Sequence, residues 1–279
     1  MSKQKQKYIK GGLLAVFVIL FIVATFCDLA ISNAIINENS LFGKIMEDIT
    51  TIPFAYALLL SGCIAFGTCK KEKSVKAIAI LILCAIYYLF LVAVSAIFLY
   101  GYLPVWALVL HLGGIIALTI FAFKIKEEEK KDWQKIALVS GLSIIISLVT
   151  IEYLKVIWGR VRPRALEGRT DIFTSWYSIN GKRFLEDVVR SEEIKSFPSG
   201  HSQWGAGVII FSLIPRASKK LQDKEFMIWC LCILWGALTM LSRVIVGAHF
   251  VTDAMAGFTI IVTLFMIFRR LVFGKNTSN

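Results

Sequence analysis

Apolar residues run through this chain in long, nearly unbroken blocks, and the polar residues fall between the blocks, not within them. Eight blocks stand out, at about 11–31, 53–69, 77–100, 104–123, 136–157, 201–215, 226–244 and 249–268. A helix needs roughly 20 apolar residues to cross a bilayer core. None of the blocks keeps a sustained polar face, which an amphipathic helix of a water-soluble protein would show. The pattern therefore predicts an all-α, polytopic transmembrane helix bundle of about eight spans. The blocks 53–69 and 201–215 are the short ones. Residues 1–135 and 136–279 are read as two parts of one integral domain. No sequence repeat is visible.

The charges lie between the blocks with a bias. Formal net charge is +12 over 279 residues. Lys3, Lys5, Lys7 and Lys10 precede the first block, and Lys70, Lys71, Lys73 and Lys76 follow the second. Lys124, Lys126, Lys130, Lys131 and Lys135 follow the fourth. Arg216, Lys219, Lys220 and Lys224 follow the sixth, and Arg269, Arg270 and Lys275 follow the last. All fall on one side if the chain starts inside, whereas the connections near 32–52, 101–103 and 245–248 hold one cation, Lys44. Cytoplasmic loops carry the lysine and arginine excess, so both termini are expected in the cytoplasm. The same bias accounts for the basic balance without nucleic-acid binding. The first block is longer than a signal-peptide core and no small-residue cleavage site follows it, so it is expected to stay as an anchor. The six cysteines lie in or beside apolar blocks and read as packing residues, not as a disulfide framework.

The connection 158–200 breaks the charge rule. It is external by this count, yet it carries Arg160, Arg162, Arg164, Arg169, Lys182, Arg183, Arg190 and Lys195, partly offset by acids. An anionic substrate is the obvious reason. Trp176 and Tyr177 suit a membrane interface. Phe184, Leu185, Val188 and Val189 at helical spacing predict a short amphipathic helix over Lys182–Ile194, either lying on the outer surface or capping the mouth of the bundle.

Three stretches hold the candidate chemistry. In the first, Lys155 and Arg162 are about two helical turns apart, and Pro163 ends or redirects the helix. An ammonium inside an apolar span either marks a functional site or snorkels to the interface. Glu152, three residues before Lys155, either pairs with it or balances charge. Arg160 and Arg164 read as flanking, interfacial residues. The second stretch is Pro198-Ser199-Gly200-His201, where a loop meets an apolar block. Unpaired N–H groups at a helix start make an anion seat, Gly200 lets the backbone approach, and Ser199 can add a donor. His201 can protonate a leaving oxygen. The third runs from Ser242 to Asp253. His249 and Asp253, four apart, share a helix face, so the carboxylate can accept the Nδ1 proton and leave Nε2 to attack; the alternative is a structural ion pair. Arg243 can grip two phosphate oxygens beside it, and Gly247 permits the turn between them. His111, mid-block with no acid nearby, reads as a packed core residue.

In this order and spacing, the stretches resemble the signature of the type 2 phosphatidic acid phosphatase family: K-x6-R-P at Lys155, Arg162 and Pro163; P-S-G-H at 198–201; and S-R-x5-H-x3-D at Ser242, Arg243, His249 and Asp253. The resemblance covers about residues 136–268. It implies that His249 attacks phosphorus and becomes a phosphohistidine, that Asp253 orients it, and that His201 protonates the leaving group and later helps activate water. Lys155, Arg162, Ser199, Gly200 and Arg243 then hold the phosphate oxygens. It also implies a six-helix core, here with extra N-terminal helices, since five blocks precede the end of the first motif. The family includes soluble halide-oxidising vanadate enzymes, and the apolar blocks argue against that branch.

The expected activity is hydrolysis of a lipid phosphate or pyrophosphate, of the undecaprenyl pyrophosphate, phosphatidylglycerophosphate or phosphatidic acid type, at the outer face of the cell membrane. Three cations can carry the charge that a metal would otherwise neutralise, so no metal and no cofactor is expected. Partners are the lipid substrate and the bilayer; nothing in the sequence points to nucleic acid or to a protein partner. Transfer of the phosphate to another lipid or sugar would use the same residues. An anionic-lipid transporter would explain Lys155 but gives His201, His249 and Asp253 nothing to do.

Overall fold

The computed structural model describes residues 1–69, 74–101, 104–181 and 189–274. Among these there are helices, turns and bends, and no strand. Five long helices come first: α1 (Lys3–Ile35), α2 (Leu41–Gly67), α3 (Val75–Tyr100), α4 (Val105–Phe123) and α5 (Glu127–Trp158). A long connection with short 3-10 turns at Pro163–Leu166 and Thr170–Ile172 leads to α6 (Gly200–Gly207). A 3-10 stretch (Val208–Leu213), α7 (Ile214–Ala217) and a second 3-10 stretch (Lys219–Lys224) precede α8 (Glu225–Ile245) and α9 (Val251–Phe273). Among the described residues, seven helices are long and apolar enough to cross a membrane: α1 to α5, α8 and α9.

The block 201–215 differs from the other seven. It is α6, a 3-10 stretch and α7 in direct succession. Gly205 and Gly207 are poor helix formers, and Pro215 sits in the first turn of the last piece, where its missing N–H costs nothing. α2 begins well before the apolar block that announced it, and Pro53 lies inside it. Nearby, Thr50 and Thr51 donate their hydroxyls to the carbonyls of Met46 and Asp48 at 2.5 and 2.6 Å. α5 also starts early, with Glu127, Glu128 and Glu129 in its first turn, where the helix dipole favours acids. The helix expected over Lys182–Ile194 falls largely on 182–188, outside the described residues, and 191–194 form turns.

α2 is the central element, packed against α3, α4, α5, α6 and α8. α9 packs against α1, α5, α6 and α8. The core joins Phe54, Leu58 and Ile64 of α2 to Ile136 and Ile144 of α5, Ile209 and Ile210, and Ile261 and Phe265 of α9. The N-terminal helices are thus continuous with the rest of the core. Leu14 and Ile19 of α1, Leu83 and Leu89 of α3, and Val109 and Leu110 of α4 face outward, as lipid-facing residues do. A smaller cluster of Val161, Leu166, Ile172, Ile194 and Phe250 folds the 158–200 connection onto one end of the bundle.

Candidate active site

Backbone hydrogen bonds stitch the three charged stretches together at that end. Ser199 N–H donates to the Asp253 carbonyl at 3.0 Å, Arg164 N–H to the Gly247 carbonyl at 3.0 Å, and Ser196 N–H to the Arg160 carbonyl at 2.9 Å. Each stretch turns where a particular residue forces it. α5 stops at Gly159, which adopts a left-handed φ of 57°. Gly247, at φ 66°, reverses the chain between α8 and α9, and a Cβ there would stand 3.0 Å from Arg164 Cβ. Pro198 follows a cis peptide bond. Ser199 caps α6, its hydroxyl accepting from the Ser202 N–H at 3.3 Å and the Ser202 hydroxyl at 3.0 Å.

His249 is 2% exposed, in the turn just before α9. Its Nδ1 lies 2.6 Å from the Ser196 carbonyl oxygen. Since a carbonyl only accepts, Nδ1 carries the proton and Nε2 keeps its lone pair. The four-residue spacing predicted Asp253 as that partner, and the structure puts the Ser196 carbonyl there instead. The Asp253 carboxylate accepts instead from Arg160, from the Ser196 hydroxyl at 2.6 Å and from the Phe250 N–H at 3.0 Å. The reason is local: Asp253 occupies the third position of α9, where a side chain folds back to cap its own helix start. Asp253 therefore reaches His249 at one remove, through Ser196. Burial first, then the charges of Arg162, His201 and Lys155, push His249 well below the usual histidine range; the Ser196 carbonyl pushes it partly back. A neutral imidazole is the nucleophilic form.

The other expected residues gather around it. Lys155 Nζ is 3.2 Å from where a Cβ on Gly200 would be, and it pairs with Glu152 at 2.6 Å. Arg162 Nε is buried and meets no acceptor among the described residues, which leaves a donor for a ligand. The charges of Arg243, Arg162 and Lys155 act on His201, whose ring lies 4.4 Å from that of Trp204. Arg243 is held by α2: it pairs with Glu47 at 2.9 Å and donates to the Gly43 carbonyl, and its Nε donates to Ser242 Oγ at 3.2 Å. The site thus combines a buried neutral histidine, a second histidine, cations and the first turn of a helix. That set can seat a tetrahedral anion and attack it.

The sequence missed Arg160, which it took as interfacial. Arg160 is fully buried beneath the site, 0% exposed. Its Nε donates to the Thr174 carbonyl at 2.8 Å, and its guanidinium lies 4.1 Å from the centre of the Phe250 ring. It also missed Glu47, since the hydropathy pattern started α2 after that residue. Arg164, also taken as interfacial, is clamped by Glu193 through two hydrogen bonds, at 3.0 and 2.7 Å. His111 donates to or accepts from Ser95 at 3.1 Å, between α3 and α4.

Residues 136–277 match the model of the PAP2 superfamily. Among curated proteins the chain is similar to a PA-phosphatase related-family protein of Dictyostelium discoideum, 29% identical over 187 residues, covering 63% of this chain and 64% of that protein. It is also similar to phosphatidylglycerophosphatase B of Bacillus subtilis, 35% identical over 74 residues, covering 26% of this chain and 36% of that protein. The chain spans less than two thirds of the length of either relative. No solved structure matches it.

Proposed function

The chain belongs to the PAP2 superfamily, and from that premise we propose that it is an integral membrane phosphatase. It hydrolyses a lipid phosphate or lipid pyrophosphate through a phosphohistidine on His249. The observation that carries this reading is the seat of His249: buried, its Nδ1 proton on the Ser196 carbonyl, its ring in the field of Arg162, His201 and Lys155. His249 Nε2 forms a bond to phosphorus while the bond from phosphorus to the leaving oxygen breaks, and His201 protonates that oxygen. Water then attacks phosphorus, gives a proton to His201, and the phosphorus–nitrogen bond breaks to free inorganic phosphate. Lys155, Arg162 and Arg243, with Ser199 and the Gly200 N–H, hold the remaining oxygens. Most of the rate comes from such positioning and charge stabilisation. The charge of a bound phosphate offsets these cations and lets His201 take up the proton it must donate.

The cationic clusters at 124–135 and 269–270 belong to the opposite end of the bundle in this topology, so the positive-inside bias supports cytoplasmic termini and a site facing outward. A site at headgroup level leaves the lipid tail in the bilayer. The test is phosphate release by the purified protein over a panel of lipid phosphates and pyrophosphates. The name of the Bacillus subtilis relative puts phosphatidylglycerophosphate first in the panel. Release is expected to persist under metal chelation, to be inhibited by vanadate, which imitates five-coordinate phosphorus, and to vanish in His249→Ala. Wild-type release by His249→Ala would sink the proposal.

A further inference from the structure

α1 lies wholly outside the segment 136–277 that matches the family, yet it sends one carboxylate to the catalytic end of the bundle. Asp28 is 3% exposed, in an otherwise apolar span. An ionisable group at such a position usually has a function. Its Oδ2 accepts from Arg160 Nη2 at 3.0 Å and from the Thr252 hydroxyl, and its Oδ1 accepts from the Thr252 N–H at 3.1 Å. The Thr252 hydroxyl in turn accepts from Arg160 Nη1 at 2.9 Å, so its own proton points to Asp28. Every one of these contacts brings a donor to the carboxylate, as the ionised form requires. Arg160 joins Asp28 to Asp253, Asp253 holds the Ser196 hydroxyl, and the Ser196 carbonyl holds His249 Nδ1.

We propose that Asp28 is a positioning residue for phosphoryl transfer: through Arg160, Asp253 and Ser196 it sets the orientation and charge environment of His249. The plainer alternative is that Asp28 only rivets α1 to the core. Two features favour more. Thr25, on the same helix, already ties α1 to the 158–200 connection by accepting from Trp176 Nε1 at 3.1 Å. Arg160 with Asp253 alone would also be a complete neutral pair. Asp28 adds a second carboxylate whose contacts, all donors, suit its ionised form; ionised, it gives the buried group a net negative charge behind the imidazole. When Nε2 bonds to phosphorus the imidazole becomes cationic, with Nδ1–H pointing back toward that group. A fixed negative charge aimed at a developing positive one favours the reaction and not merely the fold.

The inference rests on the reading of His249 as nucleophile, and the experiment separates the two. Wild type, Asp28→Ala, Asp28→Asn, Thr252→Val, Thr25→Val and His249→Ala are purified in detergent and assayed on phosphatidylglycerophosphate and phosphatidic acid. kcat and KM are read per mole of folded protein, and melting temperatures are measured beside them. Asp28→Ala and Asp28→Asn are expected to lose about tenfold or more in kcat, with KM changed by no more than about twofold. Thr252→Val keeps the side-chain shape and is expected to show the same split even where an Asp28 variant fails to fold. Thr25→Val breaks the other α1 contact and is expected to keep wild-type kcat, whatever happens to its melting temperature. If the Asp28 and Thr252 variants keep wild-type kcat while His249→Ala is dead, the positioning role is overturned and the phosphatase reading stands. If His249→Ala matches wild type, both are overturned.

Discussion

In the proposed mechanism His249 acts only while neutral, and its surroundings favour the neutral form. Burial, then the charges of Arg162 and Lys155 and the nearness of His201, lower its affinity for a proton. The acid limb of kcat/KM reports the free enzyme's essential base, so activity should persist below about pH 6.5, the ordinary histidine value. It should be lost only as pH falls through the depressed pKa. Arg162→Gln removes one of the positive charges, so the residual activity of that variant should show its acid limb displaced to higher pH. The comparison uses one substrate for both proteins, which cancels the substrate's own titration; an unmoved limb would count against the electrostatic account. Arg160 should behave differently, because it is a structural cation between two buried acids. Arg160→Ala leaves Asp28 and Asp253 uncompensated, a loss of about 3–5 kcal/mol for a buried pair broken on one side. Its melting temperature should fall steeply. Most of these residues were legible as types: three cations, two histidines and an acid at fixed spacings. What the spacing misjudged is who touches whom. His249 and Asp253 share a helix face only if both are helical, and His249 lies before α9 begins. Asp28 and Arg160 are far apart in sequence, and nothing local joins them; the one available signal was a carboxylate in an apolar block.

Elements were read well where hydropathy alone decides them and less well where turn chemistry or packing does. The seven long helices follow from apolar length. The early start of α2 does not, because residues 41–52 carry Lys44, Glu47 and Asp48 and Pro53 looks like a helix start. The segmentation of 200–217 into α6, a 3-10 stretch and α7 reflects glycine and proline content that hydropathy ignores. The approach of α9 to the Pro198–His201 loop is likewise a packing fact. A Cβ on Gly257 would stand 2.1 Å from the Ser199 carbonyl oxygen, so backbone would have to move. Gly257→Ala should therefore shift the start of α6 away from His249, at the point where Ser199 N–H meets the Asp253 carbonyl. Displacements of this kind, about 1 Å, cost on the order of a hundredfold in rate. The measurement is kcat on the lipid panel beside a melting curve. Full activity would mean that the loop seat tolerates movement.

For the whole molecule, sidedness decides whether the proposed chemistry meets its substrate. The structure brings the ends of α5, α6, α8 and α9 that bear the three motifs together with the C-terminal end of α1 and the N-terminal end of α2. Alternating long helices then leave the Lys124–Lys135 patch and Arg269–Arg270 at the other end. The 158–200 connection at this end is itself cationic, with Arg164 tied to Glu193 and Arg169 exposed beside Asp171. If sidedness followed local charge in this one loop, the site would face the cytoplasm, against the sum of all the other clusters. The rule is driven by short loops close to span ends, and those outvote it. Gly168 is a suitable probe: it is exposed, it has φ 82°, and a Cβ there would meet nothing within 4 Å. An epitope inserted at Gly168 should be bound by antibody on intact cells or spheroplasts, whereas one appended after Asn279 should be bound only after permeabilisation. The inserted protein should still release phosphate from the lipid panel, which ties the topology to a folded enzyme. The reverse labelling pattern would put the phosphate seat on the cytoplasmic leaflet and move the search for substrates to lipids made there.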